Sequence, residues 1–255
     1  MLSKRKMLRT VNDMAIKIGH ASIDENGRIS GGKTGDQTGK EICIRTWYSK
    51  PWNVYLECTD EKLADKAASI MECICADDNF GYDQGQRLTG YNNIVKNGGK
   101  IHGTEGEFDC SSLVASCYKL AGLNISPSCT TKNLKAALLA TGKFKMYTDP
   151  AHLNSDKFAK RGGIYLAEGS HVVMALEDGK INPYPEPTRT IFYDVANKKI
   201  VCRGDDVKWV QFELGIEIDG ICGPETDKAI RDFQKAHGLT VDGKVGPATR
   251  QKLKK

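Results

Sequence analysis

At 255 residues and 40% hydrophobic, the chain can bury one large or two modest cores, and this composition excludes a disordered polymer. The formal net charge of +5 loses its meaning once located: residues 1–13 hold Lys4, Arg5, Lys6 and Arg9 against Asp13, a net +3, while from Gly204 onward nine basic residues meet nine acidic ones. The C-terminal part therefore cannot hold nucleic acid or another anionic polymer by bulk charge.

The nine cysteines are odd in number and irregularly spaced in a chain large enough to fold without staples. They read as thiols made in a reducing cytoplasm, mostly small buried hydrophobes. Cys73 and Cys75 fall at i and i+2 of an expected helix, where side chains diverge, so no metal pair is expected there, and no other metal or cofactor is called for. No stretch approaches the ~20 apolar residues of a membrane span, and no apolar segment follows the basic N-terminus as in a signal peptide. Synthesis in the cytoplasm without membrane insertion is the expectation, with residues 1–13 an N-terminal extension.

In chain order, residues 16–52 are glycine-rich and polar, which predicts loops and short strands. Thr59 or Asp60 can cap a helix to about Asp78, with Leu63, Ala67, Ile70 and Ile74 on its apolar stripe. A polar stretch then runs to Glu107. A second helix is predicted from Cys110, with Leu113, Val114, Cys117 and Leu120 facing the core and Gly122 as the stop, and a third from Thr130 or Thr131 to about Gly142. Afterwards the period becomes strand-like over 163–167 and 171–176, then a turn at Asp178-Gly179 and a strand over 180–182; Arg189 to Val195 can add another. Helices followed by an antiparallel sheet make an α+β domain over 14–200.

From 204 to 255 the sequence repeats with a period of 23. Asp219-Gly220 to Thr226 returns as Asp242-Gly243 to Thr249, Gln211 as Gln234, and Gly215 as Gly238. Each copy combines an Asp-Gly turn with a Gly-Pro helix start, and Ala229, Ile230, Phe233 and Ala236 form a stripe between them. Three short helices around one small core, a binding module without catalytic residues, are expected.

The strongest chemical signal is Phe108-Asp109-Cys110-Ser111-Ser112. A cysteine in the first turn of a helix lies among unpaired N–H groups that favour a thiolate and can donate to an oxyanion. A thiolate needs a base, and of His20, His102, His152, His171 and His237 the best placed is His171, which opens a strand after Gly169-Ser170. The letter-perfect phosphate-loop pattern at Gly27 to Thr34 is discounted, because no buried strand precedes it and Gly35 to Gly39 cannot start a helix.

The order Phe108-Asp109-Cys110-Ser111, Arg161-Gly162-Gly163-Ile164-Tyr165-Leu166 and His171 resembles the NlpC/P60 cysteine peptidases of the papain-like superfamily. Gly19-His20-Ala21-Ser22, Gly32 to Gly39, Trp47-Tyr48 and Gly81-Tyr82-Asp83-Gln84 are similar to endolysin catalytic domains of phages from Gram-positive gut bacteria, over about residues 14–182. The 23-residue repeat looks like the peptidoglycan-binding type 1 domain. The resemblance implies Cys110 as nucleophile, His171 as base, Tyr82 as an active-site tyrosine, and Asn182, or else Glu186, as the imidazole-orienting group. A groove with Trp47, Tyr48, Trp52, Tyr82 and Ser111 would hold substrate. It further implies cleavage of a stem-peptide amide of bacterial peptidoglycan through a thioester. A monomer is expected, with the oligomeric state left open, and the missing signal peptide points to release to the wall at phage lysis. Ser112 and Gly163 depart from the family's common glycine and aspartate. An N-acetylmuramoyl-L-alanine amidase of the same fold and an inactive wall-binding protein are the competing readings.

Overall fold

The computed structural model describes residues 15–254. The expected extension at 1–13 lies outside the described residues. Two compact units emerge, residues 16–180 and 181–254.

The first unit opens with β1 (Lys17–Ala21), β2 (Ile42–Thr46) and β3 (Val54–Cys58), followed by α1 (Glu61–Cys75). Asp60 caps α1 by accepting from Leu63 N–H at 3.1 Å, as its position predicts. The buried stripe of α1 is Ala64, Ala67, Ala68, Met71 and Ile74, so Leu63 and Ile70 only flank it. Small residues in that stripe let α1 lie close: a side chain on Gly19 of β1 would meet Met71 at 2.2 Å. The polar stretch after α1 is structured, with β4 (Phe80–Tyr82), α2 (Thr89–Lys96) and β5 (Gly106–Phe108), β4 and β5 forming a parallel pair.

Next come α3 (Cys110–Ala121), α4 (Leu134–Ala140), β6 (Phe144–Tyr147), α5 (Pro150–Leu153), β7 (Ile164–Ala167) and β8 (His171–Ala175). Gly122 ends α3 at φ 113°, a left-handed stop that a side chain would strain. Six strands form one antiparallel sheet in the order β2-β1-β8-β7-β3-β6. The N-terminal strand is thus hydrogen-bonded to β8, which carries His171, through the register Ile18–Ala175 and Gly19–Met174. One sheet face packs with α1 and α3 around Leu56, Leu113, Val172 and Met174; the other buries Ile18, Trp52, Tyr55, Tyr165 and Val173.

The segment between β1 and β2 is loop throughout, so the phosphate-loop pattern has neither its strand nor its helix. One carboxylate organises its last part. Asp36 Oδ1 accepts from the N–H groups of Thr38, Gly39 and Lys40, and Oδ2 from those of Glu41 and Ile42. Burial opposes ionisation there, yet these donors hold the Asp36 carboxyl below its usual range.

Residues 180–182, expected as a strand of this sheet, form none, because the compact unit ends at Lys180. The second unit starts at Ile181, so residues 181–200 are corrected from the first domain to the second; Ile191 is buried in its core beside Val210, Phe233 and Val245. It comprises a short hairpin, β9 (Tyr193–Asp194) with β10 (Lys199–Ile200), then α6 (Asp205–Leu214), α7 (Pro224–Ala236) and α8 (Pro247–Leu253). The three expected helices are present, but the hairpin makes the unit not purely helical, and Ala236 is exposed rather than part of the stripe.

The 23-residue repeat is a repeated buried network. Gln211 Nε2 donates to Asp219 Oδ1, the Ile221 carbonyl and Thr226 Oγ1, while its Oε1 accepts from Gly220 N–H at 2.8 Å. Gln234 does the same with Asp242, Lys244, Thr249 and Gly243 at 2.9 Å. Gly220 and Gly243 sit at φ 72° and 70°, which is why glycine follows the aspartate in both copies. No helix among the described residues is long and apolar enough to cross a membrane.

Candidate active site

Cys110 is the first residue of α3, and the loop before it is heavily fixed. Asp109 caps the helix: its Oδ1 accepts from Ser112 N–H at 2.7 Å, and its own N–H donates to Ser112 Oγ at 2.9 Å. Ser112 completes that reciprocal cap. Arg87 Nε lies 2.6 Å from Asp109 Oδ2, and the guanidinium also donates to Ser111 Oγ and the Cys129 carbonyl. Ser111 is 2% exposed and donates its hydroxyl to Asp109. It is therefore occupied inside the protein and is no substrate contact, contrary to expectation.

The thiol of Cys110 lies against the backbone N–H of Val172, the residue after His171, which brings the helix start and the start of β8 together. Burial, with Cys110 as a lesser contribution, raises the hydroxyls of Tyr48 and Tyr82 above their ordinary value. Tyr82 is 5% exposed; its N–H donates to Glu41 Oε2 and its hydroxyl accepts from Gln84 Nε2 at 3.1 Å. Burial, with Cys110 as a lesser contribution, pushes the Tyr82 hydroxyl up to about 12, so it is a neutral donor.

Beside this pair stands a residue not singled out as catalytic, His20 of β1. Its ring centroid is 5.0 Å from that of His171 and 5.9 Å from Tyr48. His20 is 5% exposed and both its ring nitrogens are buried without a partner, as is Nε2 of His171. Trp52 stacks on His171 at 6.1 Å and donates its indole N–H to the Tyr48 carbonyl, fixing the other side. Trp52 is core at 4% exposure, and Trp47 packs edge-on against Tyr165 in the same cluster. Of the expected aromatic groove, Tyr48 meets His20, and Tyr82 is buried with its hydroxyl bonded to Gln84.

Asn182, expected to orient the imidazole, belongs to the second unit. Its amide donates to the Trp209 carbonyl and to Glu213 Oε1, both at 3.0 Å. The alternative, Glu186, pairs with Lys254 at 2.6 Å in that unit. Neither is on the sheet with His171, because no strand follows the turn after β8; the neighbouring strand is β1. Alternation could have revealed its content: Ile18 and His20 share one face of β1, with the buried Ile16 just before it, which puts an imidazole in line with core isoleucines.

Electrostatics set the resting state. Burial, then the positive charges of Lys50 and Arg45, lowers His171 to about 4. Burial, His171, Arg45 and Lys50 lower His20 to about 3. Burial and the Asp109 carboxylate push the Cys110 thiol up to about 11, against the Val172 and Ser111 N–H groups. The helix-start thiolate expected from position is thus corrected to a neutral thiol beside neutral imidazoles: burial outweighs the N–H groups. The set can accept a proton only as the sulfur gives it up.

Gly163, the second departure, is forced by packing, since a side chain there would come within 2.2 Å of the Tyr55 hydroxyl.

An antiparallel sheet with two strand histidines, a helix-start cysteine beside it and a separate repeat unit define a two-part protein with a candidate hydrolytic centre. Residues 18–182 match the endolysin-like domain family and residues 203–253 match a peptidoglycan binding domain. The first match covers well over half of the chain, which therefore belongs to the endolysin-like domain family, with a C-terminal peptidoglycan-binding domain. The chain is also similar to an autolytic lysozyme of Clostridium acetobutylicum, 51% identical over 51 residues, which are 18% of this chain and 16% of that protein. An uncharacterized protein in the bpoA1 3' region of Kitasatospora aureofaciens is 46% identical over 57 residues, 20% of this chain and 48% of that protein. The chain thus spans less than half the length of either relative. No solved structure matches.

Proposed function

We propose that the protein is a peptidoglycan hydrolase whose first unit is a papain-like cysteine peptidase of the NlpC/P60 kind, cleaving a stem-peptide amide through a thioester on Cys110. The observation that supports this most is the placement of the Cys110 thiol against Val172 N–H, one residue from His171, with unpartnered imidazole nitrogens behind it. As Cys110 Sγ attacks the carbonyl carbon, its proton passes to His171. The C–N bond breaks, the amine leaves with that proton, and water then cleaves the thioester with His171 as base. The Cys110 N–H, at the helix start, is a candidate donor to the oxyanion. His20 takes the orienting role in place of Asn182.

The lysozyme relative is named for a different chemistry. Its alignment of 51 residues is too short to hold both Cys110 and His171. The carboxyl that could suggest a glycosidic acid, Glu107, is raised to about 7 by burial but is 2% exposed and accepts from Gly35 N–H at 2.7 Å, out of reach of a glycan. The choice between an endopeptidase and an N-acetylmuramoyl-L-alanine amidase falls to product analysis. Turbidity of purified Gram-positive walls, with wild type and Cys110→Ala, followed by mass spectrometry of fragments, tests the proposal. Clearing by wild type alone with new amino groups in the stem peptides supports it. Binding without clearing, or release of reducing sugars only, overturns it.

A further inference from the structure

Asp109 has two opposed effects at the start of α3. Its carboxylate caps the helix through Ser112 N–H, and it sets a negative charge one residue from the sulfur that must itself become negative. The cation that answers it is Arg87, in the loop between β4 and α2. Arg87 Nε lies 2.6 Å from Asp109 Oδ2, and Nη2 lies 3.2 Å from Oδ1. Both side chains of this two-pronged pair are largely buried, so water and salt screen it little.

The same guanidinium donates to Ser111 Oγ at 3.1 Å, to the Ser128 carbonyl at 3.2 Å and to the Cys129 carbonyl. It thus joins its own loop to the helix start and to the turn before α4. That loop is held in its turn by Asp83, which accepts from the N–H groups of Gly31, Gly85 and Gln86. The other titratable groups around Cys110 are the phenols of Tyr48 and Tyr82 and the imidazoles of His171 and His20, all neutral at rest. Arg45 and Lys50 act on the two histidines, Arg45 from over the Tyr48 ring. Burial and then Asp109 push the Cys110 thiol up, and Arg87 works against them.

We propose that Arg87 is a positioning residue for Cys110: by pairing with Asp109 it cancels the charge beside the sulfur while leaving the helix cap in place, and so sets how readily the thiol ionises. The inference rests on the hydrolase reading for what the thiolate then does, and not for its formation. Arg87→Gln removes the charge, whereas Arg87→Lys keeps the charge and loses the fork.

The test is the rate at which iodoacetamide alkylates Cys110 in the full-length protein, read at that cysteine by mass spectrometry of its peptides and followed from pH ~7 to ~10.5. Arg87→Gln should react about tenfold more slowly at pH ~8, with its profile displaced to higher pH by about one unit, while Arg87→Lys stays within about threefold of wild type. Adding Asp109→Asn to Arg87→Gln should return the profile close to its wild-type position, because the carboxamide can still accept from Ser112 N–H and carries no charge. An unchanged profile in Arg87→Gln overturns the proposal. So does a slowed one that Asp109→Asn leaves slow, since a merely structural loss is not repaired by removing a charge. Thermal melting shows whether each variant folds. If Arg87→Gln does not, Asp109→Asn alone decides: its unopposed guanidinium should speed alkylation about tenfold, and an unchanged rate overturns the proposal. Wall clearing by the same proteins is measured alongside. The expected alkylation pattern with no clearing by wild type keeps the role of Arg87 and removes the hydrolase reading, whereas clearing by wild type with an Arg87→Gln profile like its own does the reverse.

Discussion

The two units handle buried polar groups in opposite ways. In residues 181–254 the buried glutamines are satisfied twice over by the same four-partner network, and among the described residues only Asp227 Oδ1 is buried there without a partner. In residues 16–180 the unpartnered buried atoms include both nitrogens of His20, Nε2 of His171 and Glu107 Oε2. An unmade hydrogen bond in the interior costs roughly 1–3 kcal/mol. A fold keeps such groups where chemistry will use them, and completes them where only shape is needed. The first unit reads as a site under tension; the second reads as a scaffold.

The sharpest way to break this contrast is Cys110→Ala. Wall clearing should fall at least about 10³-fold while sedimentation with walls is unchanged, because the sulfur belongs to the first unit and binding to the second. Retained clearing would remove the nucleophile. Next in size is His20→Asn, which should lower kcat on a soluble stem peptide by about 10²-fold and shift the acidic limb of its pH profile, with KM nearly unchanged. A purely structural His20 would lower the melting temperature and leave the profile of the remaining folded enzyme alone.

The contrast also explains what the sequence made legible. Asp60, Gly122 and the period of 23 are local signals, and the helix starts and stops and the repeat follow them. The site is different. Cys110 and His171 stand out as residue types at element starts, but the strand completing the set is β1, some 150 residues before β8, and strand pairing across that distance leaves no local mark. Asn182 follows from the family's spacing after the turn, whereas the imidazole that meets His171 in space, at 5.0 Å between ring centroids, is His20. Likewise β4, α2 and β5 lie in a stretch too polar to show a period, held instead by carboxylates such as Glu41 and Asp83 that accept backbone N–H groups.

For the scaffold, Gln211→Ala and Gln234→Ala should each destabilise the second unit by about 2–3 kcal/mol, because each strips several buried groups of a partner at once. Hydrolysis of a soluble peptide should remain, and wall binding should melt at lower temperature, by similar amounts for the two variants if the repeats are equivalent. A much smaller loss in one would show that the networks are alike in geometry but not in energy.

The smallest effect per residue is acid sensitivity, and its sign separates the units again. His20 and His171 are held near 3 and 4 in the folded protein, below the ~6.5 of an unfolded histidine. Above that value both states are neutral and nothing is lost. As pH falls through 6.5 towards 4 the unfolded chain takes up protons that the folded one refuses, so stability declines, by about 1 kcal/mol per histidine at pH ~5.5. Urea midpoints of the first unit, followed at pH ~7.5 and ~5.5, should drop in wild type and drop less in His20→Phe. An identical drop in both would mean that the buried imidazole already finds a proton or a partner, and the tension attributed to this site would have to lie in the carboxylates around Glu107 instead.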